Sequence, residues 1–138
     1  MTRYLQPDAA MLAATGKVAR FIETGAEEYL AAFAERDVVI LENFAPFLFT
    51  GPGAVTSWAK QMRDHARDLT GLKHTFGLAQ DFAADETKAF FSLPTHWSGI
   101  SGGHPFHEDG GWAFLLVKQR GEWRVKSYGW AVTRLELE

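Results

Sequence analysis

The chain has 138 residues, of which 46% are apolar and 14% aromatic, and it contains no cysteine. A chain of this length can bury about two thirds of its unfolded surface, so we expect one folded domain over residues 1–138. The net charge of -3 at pH 7, with no clustered basic stretch, argues against nucleic acid and anionic membranes as partners. The lack of cysteine excludes disulfides and thiolate sites, and we expect a cytoplasmic protein without a signal sequence or membrane span.

The first half of the chain is predicted to be mainly helical. Asp8 can cap a first helix, and the spacing of Thr24 and Glu27 is that of a capping box, which predicts a second, shorter helix. Residues 38–41 favour a strand, because three of the four are β-branched, and residues 47–50 favour a return strand that completes a hairpin. A third helix is predicted to follow, and its apolar face carries Val55, Trp58, Met62, His65 and Leu69.

The second half of the chain is predicted to form strands. Residues 72–82 and 87–97 alternate in the manner of half-buried strands. Two further strands, 112–118 and 123–133, are joined by a short hairpin connection. The glycine-rich stretch between Ser98 and Gly111 is predicted to be a long loop, either a lid or an exposed tip.

Alternation also assigns side chains to the two faces of the sheet. His74 falls on the apolar face of its strand, whereas His96 falls on the outer face unless Pro94 marks a bulge. Tyr128 and Trp130 share a face with charged residues of the last strand, so we expect both to be exposed. Exposed aromatic residues there would suit a homodimer formed through the outer face of the sheet.

Several short segments together resemble the NTF2-like superfamily, in its SnoaL-like and ketosteroid-isomerase-like branch. They are Phe33-Ala-Glu-Arg-Asp, Val38 to Glu42, Phe49-Thr-Gly, Trp58 and Gly121-Glu-Trp-Arg-Val, and the match covers residues 18–134. The resemblance implies an α+β fold of the cystatin-like kind. In such a fold a curved antiparallel sheet wraps around N-terminal helices as a cone-shaped half-barrel, leaves a pocket at the open end and often forms a homodimer.

The resemblance also implies which residues would carry the isomerase chemistry. The general base of those enzymes lies at the end of the strand after the second helix, where this chain has Glu42 and Asn43, and Glu42 is the match if one residue is inserted. Their two oxyanion donors correspond to Phe21 and to a site between Trp112 and Phe114, and neither position has a side chain of the required type. Because one such donor contributes about 2.7 to 4 kcal/mol, we do not expect ketosteroid isomerisation itself.

We predict Glu42 and His74 as catalytic residues. A carboxyl group at the end of an apolar strand has a raised pKa and can remove a proton beside a carbonyl group, and an imidazole can return it. The alternatives are a strand-end carboxylate that faces water and a core histidine bonded to a backbone carbonyl. The predicted ligand-binding residues are large or aromatic side chains of the pocket wall: Trp58, Met62, His65, Phe76, Phe91, Trp97 and Trp112.

No cofactor or metal is predicted. The sequence has no phosphate-binding glycine motif and no His-Glu-x-x-His. His104, His107, Glu108 and Asp109 are of metal-ligand types, but the predicted loop has no rigid element to hold them.

Two hypotheses of function remain. The first is an isomerase, dehydratase or cyclase that acts by proton transfer on a small apolar carbonyl compound. The second is a noncatalytic ligand-binding or dimerisation domain with the same pocket. A pure assembly module with a filled core is the weakest alternative, because the chain is rich in aromatic residues.

Overall fold

A computed structural model describes residues 6 to 138. In it, two α-helices and a short 3-10 helix are combined with seven strands. The helices are α1 (Ala9–Thr24), the 3-10 helix (Glu27–Ala32) and α2 (Ala54–Ala66). The strands are β1 (Val39–Leu41), β2 (Leu48–Phe49), β3 (Leu69–Phe76), β4 (Gln80–Ala84), β5 (Lys88–Ser101), β6 (His104–Gln119) and β7 (Glu122–Leu137).

The helical predictions for the first half are largely confirmed. The Asp8 side chain accepts a hydrogen bond from the Met11 amide at 2.9 Å, and Gly25, with φ of 71°, ends α1 in the left-handed conformation. The predicted capping box is wrong, because Thr24 is the last residue of α1. Within residues 6 to 138, neither α-helix is long and apolar enough to cross a membrane.

The strands form one curved, mixed sheet that does not close. Their order is β2-β1-β7-β6-β5-β3, with β4 also paired to β5. The hairpin of β1 and β2 is confirmed, and β1 joins the sheet by pairing in parallel with β7. Ile40 is fully buried and Leu41 is 50% exposed, so alternation along the chain places the next residue, Glu42, on the inner face of the sheet.

Two of the strand predictions are wrong in their boundaries. The single strand over residues 72–82 is two strands separated by residues 77–79, and Leu78 between them is 85% exposed. The predicted loop between Ser98 and Gly111 is instead the paired ends of β5 and β6. Only Gly102 and Gly103, both with positive φ, form the turn, so the backbone of the other residues finds partners across the hairpin.

The predicted exposure of Tyr128 and Trp130 is also wrong. Leu115 pairs with Ser127 but Leu116 pairs with Val125, so β7 holds one extra residue and bulges there. The bulge reverses the alternation, and Tyr128 is only 2% exposed. His96 does lie on the outer face, where Nδ1 is 2.7 Å from an Asp109 carboxylate oxygen.

The core lies between the helices and the concave face of the sheet. Trp58 of α2 is its centre, with its ring 5.2 Å from the rings of Phe21 and Phe33 and 5.9 Å from that of Tyr128. The largest of the other fully buried side chains come from α1, β1, β5, β6 and β7: Val18, Ile40, Phe91, Leu93, Trp112, Phe114, Leu116 and Val125. This packing fills the concave face except at one end, where a cavity remains.

Candidate functional site

The cavity lies between the end of α1, the end of α2 and the concave face of the sheet. Its volume is about 90 Å³, and a site for one water molecule needs only about 10 to 15 Å³ on the same measure. The lining residues are mostly apolar or aromatic: Ile22, Glu42, Asn43, Phe44, Met62, His65, Ala66, Leu69, Leu72, Trp97, Phe106, Glu108, Trp112 and Trp130. Ile22, Met62 and Leu72 also line a neighbouring surface depression of about 360 Å³.

Glu42 lies in the wall of this cavity, and the protein bonds only one of its two carboxyl oxygens. The residue directly follows β1 and is only 8% exposed. Oε2 accepts hydrogen bonds from Trp58 Nε1 at 2.9 Å and from the Tyr128 hydroxyl group. No donor in residues 6 to 138 contacts Oε1. The protein therefore holds the carboxyl group in place through one oxygen and leaves the other for a ligand.

The surroundings of Glu42 favour its protonated form. Burial raises the pKa of Glu42 to about 7, although the bonds from Tyr128 and Trp58 act in the opposite direction and the charge of Glu108 adds to the rise. Burial, together with the charge of Glu42, raises the pKa of Tyr128 well above its usual value. Tyr128 therefore stays a hydrogen-bond donor while Glu42 can gain or lose its proton near neutral pH.

Glu108 is a second carboxyl group at the cavity and was not among the predicted catalytic or ligand-binding residues. It was assigned to a loop, whereas it lies within β6 between the inward-facing Phe106 and Trp112. Burial raises the pKa of Glu108, and its interaction with the Trp130 side chain partly offsets the rise. In a strand, residues two apart share a face, so Glu108 shares its face with the apolar Phe106 and Trp112. This alternation would have predicted an inward-facing Glu108 if the segment had been assigned to a strand.

The remaining polar groups of the cavity are neutral. The His65 ring stacks on that of Phe44 at 4.6 Å, and burial lowers the pKa of His65, so its imidazole is uncharged near neutral pH. Asn43 adds an amide, and no lysine or arginine is among the lining residues. The cavity therefore combines two carboxyl groups with aromatic walls and no fixed positive charge.

His74 is placed beside Glu23 and not beside Glu42. Its backbone amide and its Nδ1 lie 2.9 and 2.8 Å from Glu23 Oε2, and Glu23 also accepts a bond from Arg20 at 2.8 Å. The imidazole packs against Phe76 and Trp97 but is not part of the cavity lining. The anticipated contact between His74 and Glu42 is not formed, and a catalytic role for His74 stays a prediction without a structural partner in the cavity.

The predicted ligand-binding residues divide into two groups. Met62, His65, Trp97 and Trp112 line the cavity. The others lie behind the wall: Trp58 bonds to Glu42, Phe76 packs on Trp112 with ring centroids 6.1 Å apart, and Phe91 is fully buried against Phe82 and Phe114.

Trp112 has one further property. It is 1% exposed, and its indole Nε1 has no hydrogen-bond partner. A buried donor without a partner costs about 1 to 3 kcal/mol. Because Nε1 has essentially no accessible surface, this cost belongs to the packing of the cavity wall.

The four residues of metal-ligand types do not form one site. Glu108 lines the cavity, whereas His107 and Asp109 face outward and contact His96. Within the described part of the chain, no three side chains of histidine, cysteine, aspartate or glutamate are arranged to hold a metal ion.

Solved structures share this architecture. The chain superposes with a TM-score of 0.79 and 11% identity on a hexachlorocyclohexane dehydrochlorinase, over 94% of this chain and 87% of the other. A putative scytalone dehydratase from Novosphingobium aromaticivorans superposes with a TM-score of 0.76 and 18% identity, over 92% of this chain and 84% of the other. The Kfla4162 protein from Kribbella flavida superposes with a TM-score of 0.79 and 12% identity, over 93% of this chain and 91% of the other.

The chain has the NTF2-like fold. The resemblance inferred from short segments is confirmed at this level, including the curved sheet and the N-terminal helices. The sequence matches no protein-family model and no curated protein. At these identities the likeness extends to the NTF2-like fold alone, and the function must be argued from the cavity.

Proposed function

We propose that this NTF2-like protein is a proton-transfer enzyme, an isomerase or lyase, that acts on a small uncharged carbonyl compound with Glu42 as the proton-accepting group. One observation carries the proposal: Glu42 Oε1 has no donor from the described residues, while Oε2 is held by Trp58 and Tyr128. A carboxylate that is fixed through one oxygen keeps its other oxygen available for a substrate proton.

The acidity of Glu42 suits this role. Acid-base catalysis is most effective when the pKa of the group lies near the working pH. Because burial holds the pKa of Glu42 at about 7, both forms are populated at neutral pH. An ordinary exposed carboxylate would be a much weaker base.

The cavity also supports the substrate class. Aromatic walls favour an apolar ligand, and the lack of lysine and arginine gives a carboxylate or phosphate group no counter-charge. Two proteins of the same fold are a dehydrochlorinase and a putative dehydratase, and both names denote elimination reactions.

The proposal can be tested by hydrogen exchange of cyclopentanone, a small ketone, in D₂O. Loss of the α-proton signal would be followed by NMR with wild-type protein, with Glu42→Gln and with the control Glu136→Gln, which removes a half-exposed carboxylate on the sheet surface. We expect exchange above the buffer rate, rising with pH through about 7 as Glu42 ionises, and a loss of at least about 100-fold in Glu42→Gln. Equal rates in wild type and Glu42→Gln would contradict the assignment.

A noncatalytic ligand-binding protein is the second candidate. The observation in its favour is that Phe21, at the position of one missing oxyanion donor, is an apolar core residue packed on Trp58. Binding of cyclopentanone without exchange above buffer would support this candidate instead.

We also propose that two copies associate through the outer face of the sheet. Tyr128 and Trp130, which the sequence predicted at this interface, do not support it, because both side chains point inward. The support is now Phe90, which is 40% exposed on β5 and pairs across the strands with Leu115 of β6. An apolar cross-strand pair on an otherwise open face favours burial against a second copy.

A further inference from the structure

Glu108 shares the cavity with Glu42 although the two residues are far apart in the sequence. β6 directs Glu108 inward between Phe106 and Trp112. The neighbouring Gly110 has no room for a side chain, because an added Cβ would lie 2.4 Å from the Trp130 ring. This close approach lets the indole of Trp130 pack against β6 next to Glu108, at the wall of the same 90 Å³ cavity.

Two carboxyl groups in so small and apolar a space do not ionise independently. With no lysine or arginine in the lining and His65 uncharged, a second negative charge would meet the first without compensation. The negative charge of Glu108 accordingly raises the pKa of Glu42 beyond the rise that burial causes. Near neutral pH the pair therefore favours a state with one proton. Because the charge of Glu108 raises the pKa of Glu42, this proton lies more often on Glu42, and the reactive form is the less populated one in which Glu108 holds the proton and Glu42 is the base.

We infer that Glu108 is the second proton-carrying residue of the site and that the pair serves the elimination of water from a β-hydroxy carbonyl compound. This inference rests on the proposed function of Glu42. Glu42 Oε1 removes the proton from the carbon next to the carbonyl group, and the Glu108 carboxyl group gives its proton to the departing hydroxyl group. The C–H and C–O bonds break, a C=C bond forms and water leaves.

The proton balance closes without any further reactant. After the step Glu42 holds the proton and Glu108 is ionised. The proton returns from Glu42 to Glu108 by exchange with water that enters after the product leaves.

The test compares two reactions in the same proteins. Exchange of cyclopentanone needs a base alone, whereas conversion of 3-hydroxycyclopentanone to cyclopentenone also needs an acid for the leaving hydroxyl group. In Glu108→Gln we expect elimination to fall at least about 100-fold and to fall far more than exchange. Glu42→Gln should reduce both reactions, Glu108→Asp should recover part of the elimination, and Glu136→Gln is the surface control.

A second measurement is independent of turnover. The carboxyl carbon of Glu42 is followed by NMR during a pH titration of wild type and of Glu108→Gln. We expect a lower midpoint in the variant, because the like charge is gone.

The outcomes separate the two proposals. If wild type exchanges cyclopentanone but does not eliminate water, or if Glu108→Gln affects both reactions equally, the inference is wrong and the role of Glu42 stands. An unchanged Glu42 midpoint in Glu108→Gln would also overturn it. If wild type shows neither reaction, the proposed function fails and the inference falls with it.

Discussion

Glu23 and Glu42 are the same amino acid with opposite electrostatic outcomes. Burial alone raises the pKa of each carboxyl group. For Glu23 that rise is outweighed by hydrogen bonds to His74 and Arg20, which hold its pKa below the usual value. Glu42 has only the neutral donors Trp58 and Tyr128, so burial prevails. The charge of the hydrogen-bond partners, not the residue type, therefore separates the pKa values of the two carboxyl groups.

This difference predicts how stability depends on pH. The pKa of Glu42 is about 7 in the folded protein, above its ordinary value of 4.5, so the folded state binds the proton more tightly than the unfolded state. The resulting stabilisation is complete below 4.5 and is lost as the pH rises through about 7, a change of about 3 kcal/mol. Glu42→Gln carries no such group. We therefore expect the stability of wild type relative to Glu42→Gln to fall by about 3 kcal/mol over this range.

Urea unfolding at several pH values, with the Tyr128 and Trp58 donors retained in both proteins, measures that difference. Glu136→Gln is the control and should show no comparable trend. If the difference in free energy of unfolding between wild type and Glu42→Gln stays constant with pH, then Glu42 has the same pKa in the folded and the unfolded protein, which contradicts the prediction.

At the scale of elements, β6 shows how a glycine-rich segment forms a paired strand. Gly110 and Gly111 are neighbours in the strand but face opposite sides of the sheet. A Cβ on Gly110 would lie 2.4 Å from Trp130 and 2.5 Å from the Ala131 carbonyl oxygen, whereas a Cβ on Gly111 would meet nothing within 4 Å. The inner position is therefore constrained by packing, and the outer one is not.

These two glycines form a matched pair of substitutions. We expect Gly110→Ala to lower the free energy of unfolding by about 1 to 3 kcal/mol, because both Trp130 and the backbone of β7 must move. Gly111→Ala should change it by no more than about 0.5 kcal/mol. Urea denaturation of both variants checks the prediction, and equal effects would show that the contact with Trp130 relaxes at no cost.

At the scale of the whole molecule, the convex face of the sheet is the surface through which we propose that two copies associate. Phe90 and Leu115 form an apolar pair there, and we expect wild-type protein to sediment as a dimer. Phe90→Lys should shift it toward the monomer, because a charge would be buried at the interface. Leu78→Lys is the matched control, since Leu78 is 85% exposed at the turn between β3 and β4. A monomeric wild type, or a dimer unaffected by Phe90→Lys, would contradict the proposed interface.

Local signals in the sequence determined the elements whose hydrogen bonds and packing are local. The cap at Asp8, the apolar face of α2, the hairpin of β1 and β2 and the turn at Gly121 each depend on a few neighbouring residues. Glu42 was also identified in this way, because a polar residue at the end of an apolar strand is visible in one short segment.

Only the tertiary structure decided which side chains meet. The pairing of His74 with Glu23 joins residues 51 positions apart, and the pairing of Glu42 with Tyr128 joins residues 86 positions apart. The bulge in β7 turns Tyr128 inward, and pairing along β6 turns a predicted loop into a strand that brings Glu108 to the cavity. The physical reason is register: the shift of a single residue exchanges the two faces of a strand, and that shift is set by partners distant in the sequence.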